Sequence, residues 1–365
     1  MAKTLVEKLA IELEAIDQIY TTEFANQSRL TRDPDQMASL AKRTQAVIAQ
    51  VDAIPVAAQG PDLVRLRTAA ATNLALYESE HAAILKAQEV GPAFESFSTE
   101  ATSANFVFAR YGRHFAGHNR ATRDTALLGE MVDELKQIDK RMAQILSEKK
   151  IPEFEKDREV VRQNLAMYQK EIELIEAAQK PDDADQRASL LADLANNQFA
   201  LYQLHFAGEP RVSRRPALLM RIVSSLKKIL GEMDKLKAGG FSAEYNDKNS
   251  AIVKDRLATY EAELGEVRKA RQGTAMSDIM GELGGAANKL FDQYRTNFAD
   301  KARTAVDMTL LGGICDRLGE IRRQMLDLSM AEDNEVNARN LEIVTEQLMM
   351  FEGEYEAVAQ VQKKS

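Results

Sequence analysis

The sequence repeats itself four times with a period of about 91 residues, and this period constrains the fold more than any other feature. A Tyr-x3-Phe-Ala string marks each copy, and its tyrosines lie 91, 91 and 92 residues apart. The four strings are Tyr20, Phe24, Ala25; Tyr111, Phe115, Ala116; Tyr202, Phe206, Ala207; and Tyr294, Phe298, Ala299. Their regular spacing indicates a tandem duplication of one structural unit.

A second string, Leu-x2-aromatic-x2-Glu, recurs with the same period. Its copies are Leu74, Tyr77, Glu80; Leu165, Tyr168, Glu171; Leu257, Tyr260, Glu263; and Leu348, Phe351, Glu354. Between the two strings lies a heptad pattern with apolar residues spaced 3-4-3-4, which is typical of a helix packed at a shallow angle. In the fourth copy it reads Leu311, Ile314, Leu318, Ile321, Met325, and in the first copy it weakens to Met37, Leu40, Thr44, Val47, Val51.

Each copy is therefore predicted to contain three helices, which we call A, B and C after their order. Turn and cap residues separate them: Asp33 is the expected cap of helix B, Pro34 suits its first turn, and Gly91-Pro92 separates the first copy from the second. The fold predicted is all-α, with four tandem three-helix-bundle repeats at residues 1–91, 92–182, 183–273 and 274–365. Either an elongated array or a curved solenoid satisfies this pattern.

Composition agrees with an all-α protein, since straight-chain helix formers abound and Trp is absent. The net charge of −8 argues against a broad nucleic-acid surface. No apolar run is long enough for a membrane span, and the one cysteine, Cys315, excludes an internal disulfide framework. A cytoplasmic location is expected.

Arginines recur in the connection between helices A and B, just before the start of helix B. They are Arg29, Arg32, Arg120, Arg123, Arg211, Arg214, Arg215 and Arg303. Free backbone N–H groups and the helix dipole favour anions at such a point. These arginines are thus candidate sites for a small anionic ligand or an acidic partner. The third copy is the strongest candidate, because Arg215 replaces the capping Asp found in the other copies.

A structural alternative stands beside this one. Helix C of each copy carries one recurring glutamate, namely Glu80, Glu171, Glu263 or Glu354, at the end of the bundle where A meets B. Ion pairs between these glutamates and the arginines would close each unit. Structural ion-pair networks often have the same residue pattern as binding sites, and ion pairs that close each unit are favoured here over an anion-binding site.

Other chemistry has little support in the sequence. His114 and His118 are four residues apart, but a zinc or iron site needs more donors, and a surface position is expected for His114 and its counterpart His205. Catalytic residues, metal ligands and cofactors are all predicted to be absent. Gly281, Gly284 and Gly285 predict close helix approach or a kink in the last helix A.

The function predicted is that of a non-enzymatic scaffold or assembly subunit, with protein partners or self-assembly. Repetition of one bundle multiplies surface rather than active sites. The alternative is a ligand-responsive module in which the A–B arginines bind a phosphorylated or acidic ligand.

Overall fold

The computed structural model describes residues 5–24, 27–55, 60–241, 244–298, 301–331 and 335–363. Over these ranges the protein is all-α and contains twelve α-helices, packed mostly against their neighbours in sequence, without a β-strand. Ala25 and Ala299 of the first string lie outside the described residues.

The twelve helices account for most of the described chain. In order they are α1 (Leu5–Glu23), α2 (Pro34–Asp52), α3 (Pro61–Val90), α4 (Pro92–His114), α5 (Thr125–Glu148), α6 (Pro152–Ala178), α7 (Ala184–Phe206), α8 (Pro216–Ala238), α9 (Glu244–Gln272), α10 (Met276–Phe298), α11 (Met308–Ala331) and α12 (Glu335–Gln362).

The predicted helix breaks coincide with the observed ones. Gly91 separates α3 from α4 with a φ of 84°, a left-handed conformation that glycine adopts without steric cost. Pro152 begins α6, and Gly239-Gly240 follows α8. Local turn chemistry thus sets the lengths of the helices.

Aspartates cap three of the four B helices. Asp33 accepts hydrogen bonds from the backbone of Asp35 and Gln36 at the start of α2. Asp124 and Asp307 do the same at the starts of α5 and α11. Arg215 occupies the equivalent position before α8 and forms no side-chain cap, so this arginine is free to extend elsewhere.

The chain divides into two compact units. Unit 1 comprises residues 1–102 with 141–156, and unit 2 comprises residues 103–140 with 157–365. In unit 1, helices α1, α2 and α3 enclose one hydrophobic core, and the weakened heptad of α2 is buried in it throughout, Thr44 included. The Thr44 hydroxyl donates to the carbonyl of Leu40, which satisfies this buried polar group.

Among the hydrophobic cores of unit 2, one is formed by α7, α8 and α9 and another by α10, α11 and α12. In each, the helix A tyrosine stacks on the helix C aromatic. The ring centroids of Tyr202 and Tyr260 lie 3.9 Å apart, and those of Tyr294 and Phe351 lie 4.0 Å apart. The two recurring strings therefore meet directly in the core.

Candidate functional site

The recurring arginines of the A–B connections form ion pairs with the recurring glutamates of helix C. Arg29 and Arg32 both donate to Glu80, with Nη–Oε distances of 2.5 and 2.7 Å. The same geometry recurs on the other three glutamates, and we call each such group a clasp. The further pairs are Arg120 and Arg123 with Glu171, Arg211 and Arg214 with Glu263, and Arg303 with Glu354.

Each clasp also orders the backbone of the A–B connection. A short 3₁₀ turn runs through this connection in the last three copies, for example at Arg120–Thr122. The inner arginine, such as Arg123, donates to the carbonyl of His118 five residues earlier. Gln179, eight residues after Glu171, donates to the carbonyl of Arg123. One glutamate on helix C thereby fixes a loop that has little regular structure of its own.

The glutamine of the clasp was not anticipated from the sequence, although its signal is present. Gln88, Gln179 and Gln362 each follow the clasp glutamate by eight residues and donate to the A–B backbone. In the third copy Arg271 takes this position and donates to the carbonyl of Arg214. The 91-residue period extends to these residues and could have revealed them.

The positive charges that an anion site would need are already paired with glutamates in the clasps. Their glutamates are largely buried, with Glu171 only 8% exposed in its side chain, and each is compensated by one or two guanidinium groups. The outer arginines Arg120, Arg211 and Arg303 keep about half of their side chains in solvent. The geometry favours a structural role for these residues.

Arg215 departs from this pattern. Arg211 and Arg214 bind Glu263, whereas Arg215 turns away from them and donates to Glu130 of α5. Its Nη1 also lies 3.4 Å from Oε1 of Glu320 on α11. The three arginines of the third copy therefore do not converge on one site.

Helix α11 lies at the centre of unit 2. Beyond its heptad seam it also buries Gly312, Cys315, Glu320, Arg322 and Gln324. A Cβ atom on Gly312 would lie 3.2 Å from the Tyr355 ring, and one on Gly313 would lie 3.3 Å from Leu204. Close approach of helices was expected at Gly281, Gly284 and Gly285. Close approach is wrong there, because a Cβ at each would meet open space, and a kink, the alternative, stays a prediction.

One end of α11 carries a buried ion-pair network. Asp316 accepts from Arg113 of α4 at 2.7 Å and contacts Nε2 of His114 at 2.9 Å. Arg113 also donates to Glu352 of α12, and its side chain is 7% exposed. Burial alone raises the pKa of Asp316, but Arg113 and His114 outweigh burial and lower it well below its usual range. This carboxylate stays ionised and joins α11 to α4, and Arg113 extends the network to α12.

The surface position expected for His114 and His205 is wrong. His114 is bound to Asp316, and His205 is partly buried beside the same network. Burial lowers the pKa of His205 to about 4, so its imidazole is neutral at neutral pH. His118, by contrast, is exposed. The contacts that bury these rings come from α11, about 200 residues away from His114.

Further along α11 is a second group of charges, which we call the carboxylate cluster. Its acids are Glu130 and Glu134 of α5 and Glu320 of α11. Its bases are Arg110, Arg215, Arg221 and Arg323. Nothing in the heptad pattern predicts this cluster, because its members lie on faces that an isolated three-helix bundle would leave in solvent.

Small cavities accompany both charged groups of unit 2. One, of about 20 Å³, is lined by His205, Glu209, Arg317 and Glu320. The other, of about 30 Å³, lies beside Arg113 and Asp316. Such volumes hold one or two water molecules and are far below those of small-molecule sites.

Metal-binding clusters and membrane-spanning helices are absent from the described part of the chain. Among its residues no group of three or more His, Cys, Asp or Glu side chains is arranged to hold a metal ion. No described helix combines the length and the apolar character that crossing a bilayer requires.

Comparison with known proteins gives no family. The chain shows no significant match to a protein-family model, to a curated protein or to a solved structure. Its function therefore has to be inferred from its own geometry.

Proposed function

We propose that this protein is a non-enzymatic scaffold or assembly subunit, built from four tandem three-helix repeats at residues 1–91, 92–182, 183–273 and 274–365. Four clasps of one design support this organisation, because each joins the A–B connection of a copy to its own helix C. The recurring charges thus close the units, and interaction falls to other surfaces. A cytoplasmic location stays a prediction from the sequence.

The observation that carries the proposal is an exposed apolar stripe on helix C. On α6 it consists of Val160, Met167 and Leu174, seven residues apart, and Met167 is 46% exposed. Equivalent positions in other copies are also apolar and exposed: Leu76, Ile252, Ile343 and Met350. Large apolar side chains aligned on one outer face are typical of protein–protein interfaces. Among the C helices α6 carries the stripe in full, whereas α12 keeps two of its three positions and α3 and α9 keep one each, so the face on α6 is the one that offers a continuous contact.

Self-assembly through the α6 stripe is the form of this proposal that we would test first. Size-exclusion chromatography with light scattering at micromolar concentrations should give a mass above that of one chain. The double variant Val160→Glu/Met167→Glu should return to the mass of one chain, because it places two charges in the interface. Ala166→Glu/Gln169→Glu adds the same charges on exposed positions of other faces of α6 and should assemble like the wild type.

Two results would reject self-assembly through this face. One is a wild-type mass equal to a single chain at every concentration. The other is unimpaired assembly of the Val160→Glu/Met167→Glu variant.

The anion-binding alternative rests on the outer arginines, of which Arg211 is 51% exposed in its side chain. A phosphate group would have to compete with Glu263, which already accepts from both Arg211 and Arg214. Thermal shift against a panel of phosphate compounds separates the two proposals. We expect no compound to raise the melting temperature. A rise in the wild type that disappears in Arg214→Ala would favour the ligand-binding module.

A further inference from the structure

Within the carboxylate cluster, Glu320 is the acid with the poorest compensation. Arg215 and Arg323 both make their closest contacts with Glu130, and the Arg323 Nη1–Glu130 Oε1 distance is 2.9 Å. Arg110 donates to Glu134 at 2.8 Å. The Nη1 atoms of Arg215 and Arg323 lie 3.4 and 3.6 Å from the Glu320 oxygens. Glu320 therefore receives only the long contacts of guanidinium groups that are already shared.

Glu320 is also deeply buried, with 8% of its surface exposed, and its Oε1 has no hydrogen-bond partner. An ionised carboxylate in this position is costly, because burial removes its hydration and the arginines do not replace it. Protonation removes this cost and turns one oxygen into a hydrogen-bond donor. Burial accordingly raises the pKa of Glu320 to about 7, with the neighbouring acids Glu130 and Glu134 adding to burial and Arg215 and Arg110 opposing it.

A small cavity lies beside Glu320. This is the 20 Å³ cavity, which has room for one water molecule, and Glu209 also lines it with an Oε2 atom that has no partner. A protonated Glu320 can donate toward this space, where acceptor oxygen is available. Two ionised carboxylates would instead face the cavity with acceptors alone.

Charged and titratable groups face Glu320 from every helix packed against it. They are Arg110 of α4, Glu130 and Glu134 of α5, His205 of α7, Glu209 and Arg215 of the α7–α8 connection, Arg271 of α9, and Arg317 and Arg323 of α11 itself. Arg221 of α8 reaches the same cluster through Glu130. Glu209 is engaged by Arg317. His205 is neutral at neutral pH because burial lowers its pKa to about 4. Glu320 is thus the member of this group placed to change charge near neutrality.

We propose that Glu320 is a buried proton-binding site, and that its protonation state controls how firmly α11 packs against α5 and the α7–α8 connection. Below neutrality the proton is bound and α11 is held in place. As the pH rises toward neutrality this hold is lost, and above neutrality Glu320 carries a buried charge that leaves α11 less firmly packed. The unfolded chain gives up the same proton at the ordinary glutamate pKa, so stability falls as pH rises from about 4.5 to about 7 and is then level.

Cys315 provides a reporter for this motion. It is the only cysteine of the chain, it lies on α11, and its side chain is fully buried. A disulfide reagent such as Ellman's reagent reaches it only when α11 opens. Dividing the labelling rate by that of the urea-unfolded chain at the same pH removes the intrinsic titration of the thiol.

The expected result is a normalised labelling rate that rises about tenfold between pH 5.5 and 8 in the wild type. Glu320→Gln, which imitates the protonated side chain, should label slowly at every pH. Glu173→Gln, on an exposed pair with Lys170 of α6, should behave like the wild type. A flat wild-type profile would overturn the proposal, as would an equal rise in Glu320→Gln.

Infrared spectroscopy of the wild type gives a second readout if Glu320→Gln does not fold. The carbonyl band of a protonated carboxylic acid should persist at pH 6 in the folded protein and vanish on unfolding in urea. Absence of this band at pH 6 would equally overturn the proposal.

Discussion

Helices α2 and α11 hold the same place in the first and fourth copies, yet their surroundings differ. The buried residues of α2 are those of its heptad seam, and its remaining faces carry exposed or half-exposed side chains. Helix α11 has the same seam but also buries Gly312, Glu320, Arg322 and Gln324. The seam therefore decides how a helix packs inside its own bundle. The residues outside the seam decide whether the helix stays at the surface or lies at the centre of unit 2.

The largest expected effect comes from removing the acid that joins α11 to α4. Asp316→Ala leaves Arg113, which is 7% exposed, without its main partner, and breaking a buried ion pair typically costs about 3–5 kcal/mol. Urea unfolding followed by circular dichroism measures the loss. Asp52→Ala on α2 removes an exposed partner of Arg67 and should leave stability unchanged. Equal losses in the two variants would contradict the difference between α2 and α11.

A second prediction concerns the clasps, where the larger loss of stability is expected in the first copy rather than in the fourth. At the clasps the first copy is the more buried, since the Arg32 side chain is 4% exposed and that of Arg303 is 48% exposed. Arg32→Ala should destabilise by about 1.5–3 kcal/mol, the usual worth of hydrogen bonds to a charged group. Arg303→Ala should cost below about 1 kcal/mol, as exposed ion pairs do. Urea midpoints of the two variants give the ranking. A larger loss for Arg303→Ala would show that burial does not set the strength of the clasp.

The smallest effect is expected at a glycine. Gly312→Leu pushes a side chain against Tyr355 and Arg113, and overpacking of this kind costs about 1–3 kcal/mol. Gly129 holds the equivalent position in α5, where a Cβ meets open space. Gly129→Leu should therefore be neutral or stabilising, because leucine favours helix more than glycine does. Melting temperatures of the two variants suffice for this test, and equal shifts would show that Gly312 is no more enclosed than Gly129.

The sequence predicted the helices, their breaks, the buried seams and the pairing of arginines with glutamates. All of these depend on contacts within one copy, which leave a signal that repeats with the period. The buried charges around α11 leave none. Arg113 and Asp316 are 203 residues apart, and charged residues outside a seam are expected to face solvent when only the local pattern is considered. Arg215 was the residue whose departure from the capping pattern indicated such a contact in the sequence. In the structure it is bound to Glu130.

The pairing of Arg113 with Asp316 also sets an order of events during synthesis. Helices whose contacts are all local can pack as soon as they leave the ribosome, whereas α4 must wait about 200 residues for its partner on α11. At cellular translation rates this interval is roughly 10–40 s. For that time Arg113 and His114 lack the acid that pairs with them in the folded chain. Folding of unit 2 can thus be completed only after the last quarter of the chain, which carries α11, has been synthesised.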